Sequence, residues 1–252
     1  MTIASETDAQ TTQSALLGGR VRLVQPRRGY RAGMDAAVLA AACPARPGDQ
    51  VIEAGCGAGA VLLQVAARCP GAQLAGVERD PAAVALARRN AALNDAADRV
   101  RIVEGDIGAG FRAAGLPPAD WALANPPYFD NEAALRPPAA ERRGAWIADD
   151  GLAAWTGFLL KAVREGGRIV IIHRADRLVD LLAGLSPRAG AIAVRPVHAF
   201  ADEPAKRVLV HAIKAGKAPL RLLPPLVLHD RSEAKHTPEA EAILRGEAAL
   251  GW

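Results

Sequence analysis

The chain has 252 residues, half of them hydrophobic, a net charge of +4 and a pI near 9.2. That length suffices for one sizeable α/β core, and the modest basic balance permits a nucleic-acid partner without demonstrating one. No apolar run approaches the ~20 residues that span a bilayer as a helix, so no membrane-spanning helix is expected. The polar start MTIASETDAQTTQS lacks the basic-then-apolar layout of a signal peptide. Three cysteines, Cys43, Cys56 and Cys69, form no CxxC, which points to a reduced, cytoplasmic setting rather than a disulfide framework. The five histidines are scattered, without the pairwise spacing of a metal site, so no metal is expected.

Residues 1–15 read as a disordered lead-in. From Asp49 onward, apolar stretches alternate with Ala-rich ones. Strands are expected over 51–54, 74–77, 100–104, 121–124 and 168–173, with helices over 60–68, 81–93 and 152–164 between them. Asp80 is placed to cap the second helix and Pro81 suits its first position; Glu165-Gly166-Gly167 is a helix stop after the third. A helix over 175–185 precedes two strands over 191–198 and 207–214, whose short link requires one of them to run antiparallel. The expected fold is α/β: a Rossmann-like, seven-stranded, mostly parallel sheet with an antiparallel terminal hairpin and helices on both faces. Residues 16–252 read as one domain, with a basic N-terminal segment over 16–48, a core over 49–217 and a C-terminal extension over 218–252 that includes a short helix over 238–245.

The stretch VIEAGCGAGAVLL places Glu53, Gly55, Gly57 and Gly59 at the first strand-to-helix turn. Glycines there allow a tight turn and close approach of a ligand to the backbone. The G-x-G-x-G spacing differs from the G-x-G-x-x-G of a pyrophosphate loop, and a plain strand-to-helix turn uses the same residues. Two further acids follow successive strands: Glu78 after the second, placed for ribose hydroxyls, and Asp106 after the third, in VEGDI, placed for an adenine amine. The spacing thus points to an adenosine-containing ligand in the crevice beyond the carboxyl ends of the strands.

The fourth strand ends in ALANPPYFD. Prolines remove backbone donors and fix φ, so Pro126 and Pro127 stop the strand and freeze the turn carrying Asn125. The Asn125 side-chain carbonyl and the Pro126 backbone carbonyl can together accept both hydrogens of a planar amine. Oriented acceptors of this kind contribute about 3 kcal/mol each as charge develops. Tyr128 and Phe129 offer faces for a planar substrate, worth about 1–3 kcal/mol per stacked base. Read alone, the stretch favours Asn125 as a turn former and Tyr128 as a core aromatic.

Together these motifs resemble the class I S-adenosylmethionine-dependent methyltransferases. The resemblance implies that Gly55 to Gly59 pass beneath the methionine part of the cofactor S-adenosyl-L-methionine. Glu53 then supports that loop, Glu78 holds the ribose, and Asp106 with Ile107 flanks the adenine. The Asn-Pro-Pro-Tyr turn matches methyltransferases acting on planar nitrogens: adenine N6 in nucleic acids, or the glutamine amide of translation release factors. The segment GGRVRLVQPRRGYRAGMDAAVLAAA carries Arg20, Arg22, Arg27, Arg28 and Arg31 with no acid before Asp35. It also resembles the bacterial tRNA(Val) adenine-N6 methyltransferases through Gln25, Gly29-Tyr30-Arg31, Gly33 and Asp35-Ala36, as does the ending LPPLVLH…TPEAEAILRG. That likeness implies an enzyme transferring a methyl group to adenine N6 of tRNA beside the anticodon, with Arg27, Arg28 and Arg31 contacting RNA phosphates. By position, Arg31 and Asp35 line the cofactor cleft. The alternatives are glutamine N5 methylation on a release factor and a non-catalytic adenosine-cofactor-binding module. The segment over 130–146 is placed to act as a substrate lid and reads equally as a local loop, and a monomer is assumed.

Overall fold

A computed structural model describes residues 11–28, 31–127, 151–231 and 234–252. β1 (Thr11–Leu16) and β2 (Val21–Pro26) pair as an antiparallel hairpin and are followed by α1 (Met34–Ala41). Then come β3 (Gln50–Ala54), α2 (Ala60–Arg68), β4 (Gln73–Glu78), α3 (Pro81–Leu93), β5 (Val100–Glu104) and β6 (Ala119–Ala124). The second half runs α4 (Gly151–Ala162), β7 (Val163–Arg174), α5 (Leu178–Leu185), β8 (Ala189–His198) and β9 (Arg207–Lys214). Two-residue strands β10 (Arg221–Leu222) and β11 (Leu226–Val227) lead to α6 (Pro238–Arg245).

The main strands lie in the order β5-β4-β3-β6-β7-β9-β8, with β10 and β11 both pairing with β8. Strands β3 to β7 run parallel to one another, and β9 runs antiparallel to both β7 and β8. The chain winds outward from β3 toward β5, then restarts at β6 on β3's other side. This reversal opens a crevice between the carboxyl ends of β3 and β6, where ligands of open α/β sheets bind.

Alternating residues feed two cores, as expected of a sheet covered on both faces. Val51, Leu123, Val170 and Ile172 join one core with α1, α2, α3 and α6. Ile52, Ala122, Ala124, Ile169 and Ile171 join the other with α4 and α5. The helix ends follow the local chemistry. The Asp80 carboxylate accepts from the Ala82 N–H at 2.9 Å with Pro81 at the first position of α3, and Thr237 Oγ1 accepts from Ala240 N–H at 3.2 Å to open α6.

The N-terminal hairpin is held to the sheet by two asparagines one turn apart, Asn90 on α3 and Asn94 at its C-cap. Asn90 Oδ1 accepts from the Val24 N–H at 2.8 Å, and its Nδ2 donates to the Val24 carbonyl at 2.8 Å. Asn94 repeats the pattern on Arg22, accepting from its N–H at 2.8 Å and donating to its carbonyl at 2.7 Å. Two side-chain amides thus replace the missing neighbour of β2, satisfying backbone groups at alternate residues as a paired strand does.

Several expectations change. The lead-in expected over 1–15 is ordered from Thr11, because TTQSAL pairs residue for residue with VRLVQP; the rest of that expectation lies outside the described residues. Helix α1, unread in the sequence, is apolar nearly all round, with Ala36 to Ala41 buried, so it shows no amphipathic period. Helix α4 ends at Ala162 rather than at 164, and the expected stop residues Glu165 to Gly167 sit in an irregular start of β7, with Gly166 at φ 73°. The expected helix over 175–185 divides into a 3-10 turn at Ala175–Arg177 and α5. The C-terminal extension adds β10 and β11 to the sheet edge. It then returns so that the Arg68 guanidinium donates to the Ile243 and Ala248 carbonyls, at 2.5 and 2.7 Å.

Candidate active site

At the carboxyl end of β3 the chain enters the glycine loop with Gly55, Gly57 and Gly59 at φ 64°, 52° and 86°. An L side chain is strained at each of these angles. The Gly55 and Cys56 N–H groups both donate to the Val77 carbonyl, at 2.8 and 3.2 Å, which fastens the loop to the end of β4. Asn90 Nδ2 also donates to the Ala58 carbonyl at 2.9 Å. One buried side chain therefore ties the glycine loop to the basic hairpin.

The three acids occupy different environments. Glu53 is 2 % exposed, beneath the loop rather than at its rim. Its carboxyl accepts from the Leu62 N–H in the first turn of α2, while burial, followed by the nearby Glu78 charge, pushes its pKa well up. Its Oε2 has no hydrogen-bond partner among the described residues, a costly state for a buried polar atom. Glu78 is half-buried at the end of β4, its two oxygens accepting from Gly57 N–H and Asp80 N–H, both at 2.9 Å. This fixes the carboxylate and leaves its other lone pairs for a ligand. Asp106 is exposed, accepts from Gly108 N–H at 2.8 Å and opens the 3-10 turn Ile107–Ala109. Ile107 lines a cleft of about 250 Å³ with Gly108, Gly110 and the Ala153, Gly157 and Lys161 face of α4.

Ala54 and Ala124 are register partners on β3 and β6. Gly55 and Asn125 therefore leave the sheet side by side, about one strand spacing (~4.8 Å) apart. Asn125 is half-buried, Pro126 buried and Pro127 exposed. Tyr128 and Phe129 lie outside the described residues, as does the segment over 130–146.

A family model described as the methyltransferase small domain matches residues 31–142. The tRNA1(Val) (adenine(37)-N6)-methyltransferase of Dickeya chrysanthemi is 30% identical over 201 residues, 78% of this chain and 78% of that protein. The chain belongs to the class I S-adenosylmethionine-dependent methyltransferases. The protein of the same name from Porphyromonas gingivalis is 32% identical over 161 residues, 60% of this chain and 61% of its own. A crystal structure of a predicted O-methyltransferase of Agrobacterium tumefaciens shares the fold with a TM-score of 0.72 and 27% identity, covering 86% of this chain and 98% of that one.

The methyl donor of this class I methyltransferase is S-adenosylmethionine, and its residues fit that group. The glycine loop has its Cβ-free backbone at the crevice, Glu53 keeps an unpartnered oxygen beneath it, and Glu78 and Asp106 present carboxylates in sequence along the strand ends. The five arginines between Thr11 and Asp35 make no ion pair with a carboxylate among the described residues. Arg27 donates to the Thr11 carbonyl at 3.0 Å, and Arg31 to Thr12 Oγ1 at 2.9 Å and the Pro26 carbonyl at 3.2 Å. Arg20 and Arg22 likewise donate to carbonyls, and Arg28 is exposed. Their charge is uncompensated, unlike that of Arg174 and Arg231, paired with Asp176 and Asp202.

Asp35 pairs with Arg207 at 2.7 Å, joining α1 to the start of β9. Both residues expected at the cofactor cleft, Arg31 and Asp35, are thus held by contacts to neighbouring elements. Sequence reasoning missed Asn90 and Asn94, since amides on a helix carry no pattern until their strand is known. It also gave no role to Trp155, whose ring lies against Gly55.

Proposed function

We propose that this methyltransferase acts on adenine N6 of RNA, a tRNA in the anticodon region, in the cytoplasm. The observation that carries the reading is Asn125, fixed by two prolines at the end of β6 and one strand spacing from Gly55. Adenine N6 is a poor nucleophile because its lone pair is delocalised into the ring. The Asn125 side-chain carbonyl and the Pro126 carbonyl accept the two amine hydrogens and favour the conformation whose lone pair points out of the plane. The bound donor supplies an electrophilic methyl group with a neutral thioether as its leaving group. Glu78 and Asp106 hold the adenosyl part, the glycine loop underlies the amino-acid part, and Tyr128 stacks the acceptor base. Pro126 and Pro127 limit reorganisation, so alignment carries most of the rate. The extra proton on the methylated nitrogen leaves to water, and no general base is required.

The same turn suits a glutamine amide. The acid-free arginine hairpin favours RNA, because uncompensated guanidinium groups joined to the cofactor loop through Asn90 suit phosphates better than a peptide. The names of the Dickeya and Porphyromonas relatives agree with adenine in tRNA. The Agrobacterium neighbour's name speaks of an oxygen acceptor; paired acceptors for an –NH2 group speak against that here. Replacing Asn125 with Ala tests the reading: turnover on unmodified tRNA falls at least tenfold while donor binding is kept. Unchanged turnover would remove the role assigned to the turn.

A further inference from the structure

Trp155, on the second turn of α4, meets the glycine loop directly. A Cβ built on Gly55 would stand 2.5 Å from Trp155 Cη2, 3.0 Å from Cζ3 and 3.7 Å from Cζ2. The first of these separations is shorter than real Cβ contacts allow and the second is tight, so Gly55 lacks a side chain because this ring occupies the space as well as because of its φ of 64°. The three distances also put that point close to the plane of the indole. Gly55 is therefore met edge-on, and both electron-rich faces of the ring are turned away from it.

Gly55 and Asn125 leave neighbouring strands, so a ring packed on Gly55 lies beside the crevice that the Asn125 turn borders. Trp155 is half-buried, with its back against the α4 and α5 core. Among the described residues no cation and no second aromatic ring lies against its faces. An indole face with no cation or ring against it is a surface that attracts positive charge.

We propose that Trp155 is an aromatic wall of the donor site that favours the positively charged sulfonium of S-adenosylmethionine over the neutral thioether left after transfer. This inference rests on the glycine loop holding the donor and is independent of which acceptor is methylated. A ring that recognises charge strengthens donor binding more than product binding, which also helps the spent product to leave.

The test is calorimetric titration of the full chain with S-adenosylmethionine and, separately, with S-adenosylhomocysteine, for the wild type, W155F and W155L. In W155L the donor binds about tenfold more weakly, the size of a desolvated cation–π contact, while product affinity stays within about twofold. W155F, which keeps a ring with a weaker quadrupole, falls between the two, and it decides the matter if W155L does not fold. Equal weakening of both ligands makes Trp155 a packing residue and overturns the proposal, as does no change in either. Failure of the wild type to bind either ligand would overturn the loop assignment itself, an outcome distinct from loss of charge preference.

Discussion

Replacing Asn90 with Leu removes a side chain that bonds both the basic hairpin and the glycine loop. Asn90 is fully buried, and its amide makes three hydrogen bonds, to Val24 N–H, the Val24 carbonyl and the Ala58 carbonyl, at 2.8, 2.8 and 2.9 Å. Leucine keeps the volume and loses all three, leaving one donor and two acceptors without their partner. At about 1 kcal/mol for each, the variant loses about 3 kcal/mol. For a chain of this size that lowers Tm by roughly 6–12 °C. Hydrogen exchange should show the Val24 amide losing protection while strand β7 keeps its own. In steady-state assays KM rises for RNA and for the donor together, since the hairpin and the loop loosen at once. Asn94→Ala is the contrasting variant: it frees Arg22 and leaves Ala58 bonded, so RNA binding weakens with donor binding kept. A Tm within about 1 °C of wild type, with Val24 still protected, would refute the reasoning that the amide stands in for a strand.

Other consequences are open to direct measurement. Changing Arg27, Arg28 and Arg31 together to Gln should raise KM for RNA and flatten its dependence on salt by about two counterions in the log–log slope; an unchanged slope would place the RNA elsewhere. Glu78→Ala should weaken donor binding at least tenfold without altering Tm by more than a few degrees, read by calorimetry and thermal unfolding. Burial, with the Arg168 and Arg221 charges, lowers the His211 pKa to about 4, while the ring stacks on Trp252 at 4.7 Å. The folded state thus resists a proton that the unfolded chain takes up near pH 6.5. Stability from this group is fully present above about pH 6.5, falls by roughly 3 kcal/mol as pH drops toward 4, and levels off below. His211→Leu should remove that portion of the acid-side loss in thermal unfolding at stepped pH; an unchanged profile would show that the ring charges freely in the fold.

Much of this architecture is legible from local chemistry. Asp80-Pro81 gives the start of α3 and Thr237-Pro238 that of α6, because caps act on their own first turn. The period-two residues of β3, β6 and β7 are apolar on both sides, which signals a parallel sheet before any partner is known. What escaped depends on distant partners. Thr11–Leu16 is weakly apolar and becomes a strand through β2, and β9 slots between β7 and β8 by long-range pairing that neither strand encodes alone. At the site, the positions of Gly55, Glu78 and Asn125 at strand ends follow from the motifs. The burial of Glu53 beneath the loop and the indole edge on Gly55 follow from tertiary packing, in which α4 folds back over the crevice.

The most direct measurement is methyl transfer from isotopically labelled S-adenosylmethionine, offered in parallel to unmodified bacterial tRNA and to recombinant release factors, with products digested and identified by mass spectrometry. The account predicts label in N6-methyladenosine of tRNA, lost in Asn125→Ala. Label on a release-factor glutamine, or on an oxygen, would contradict it.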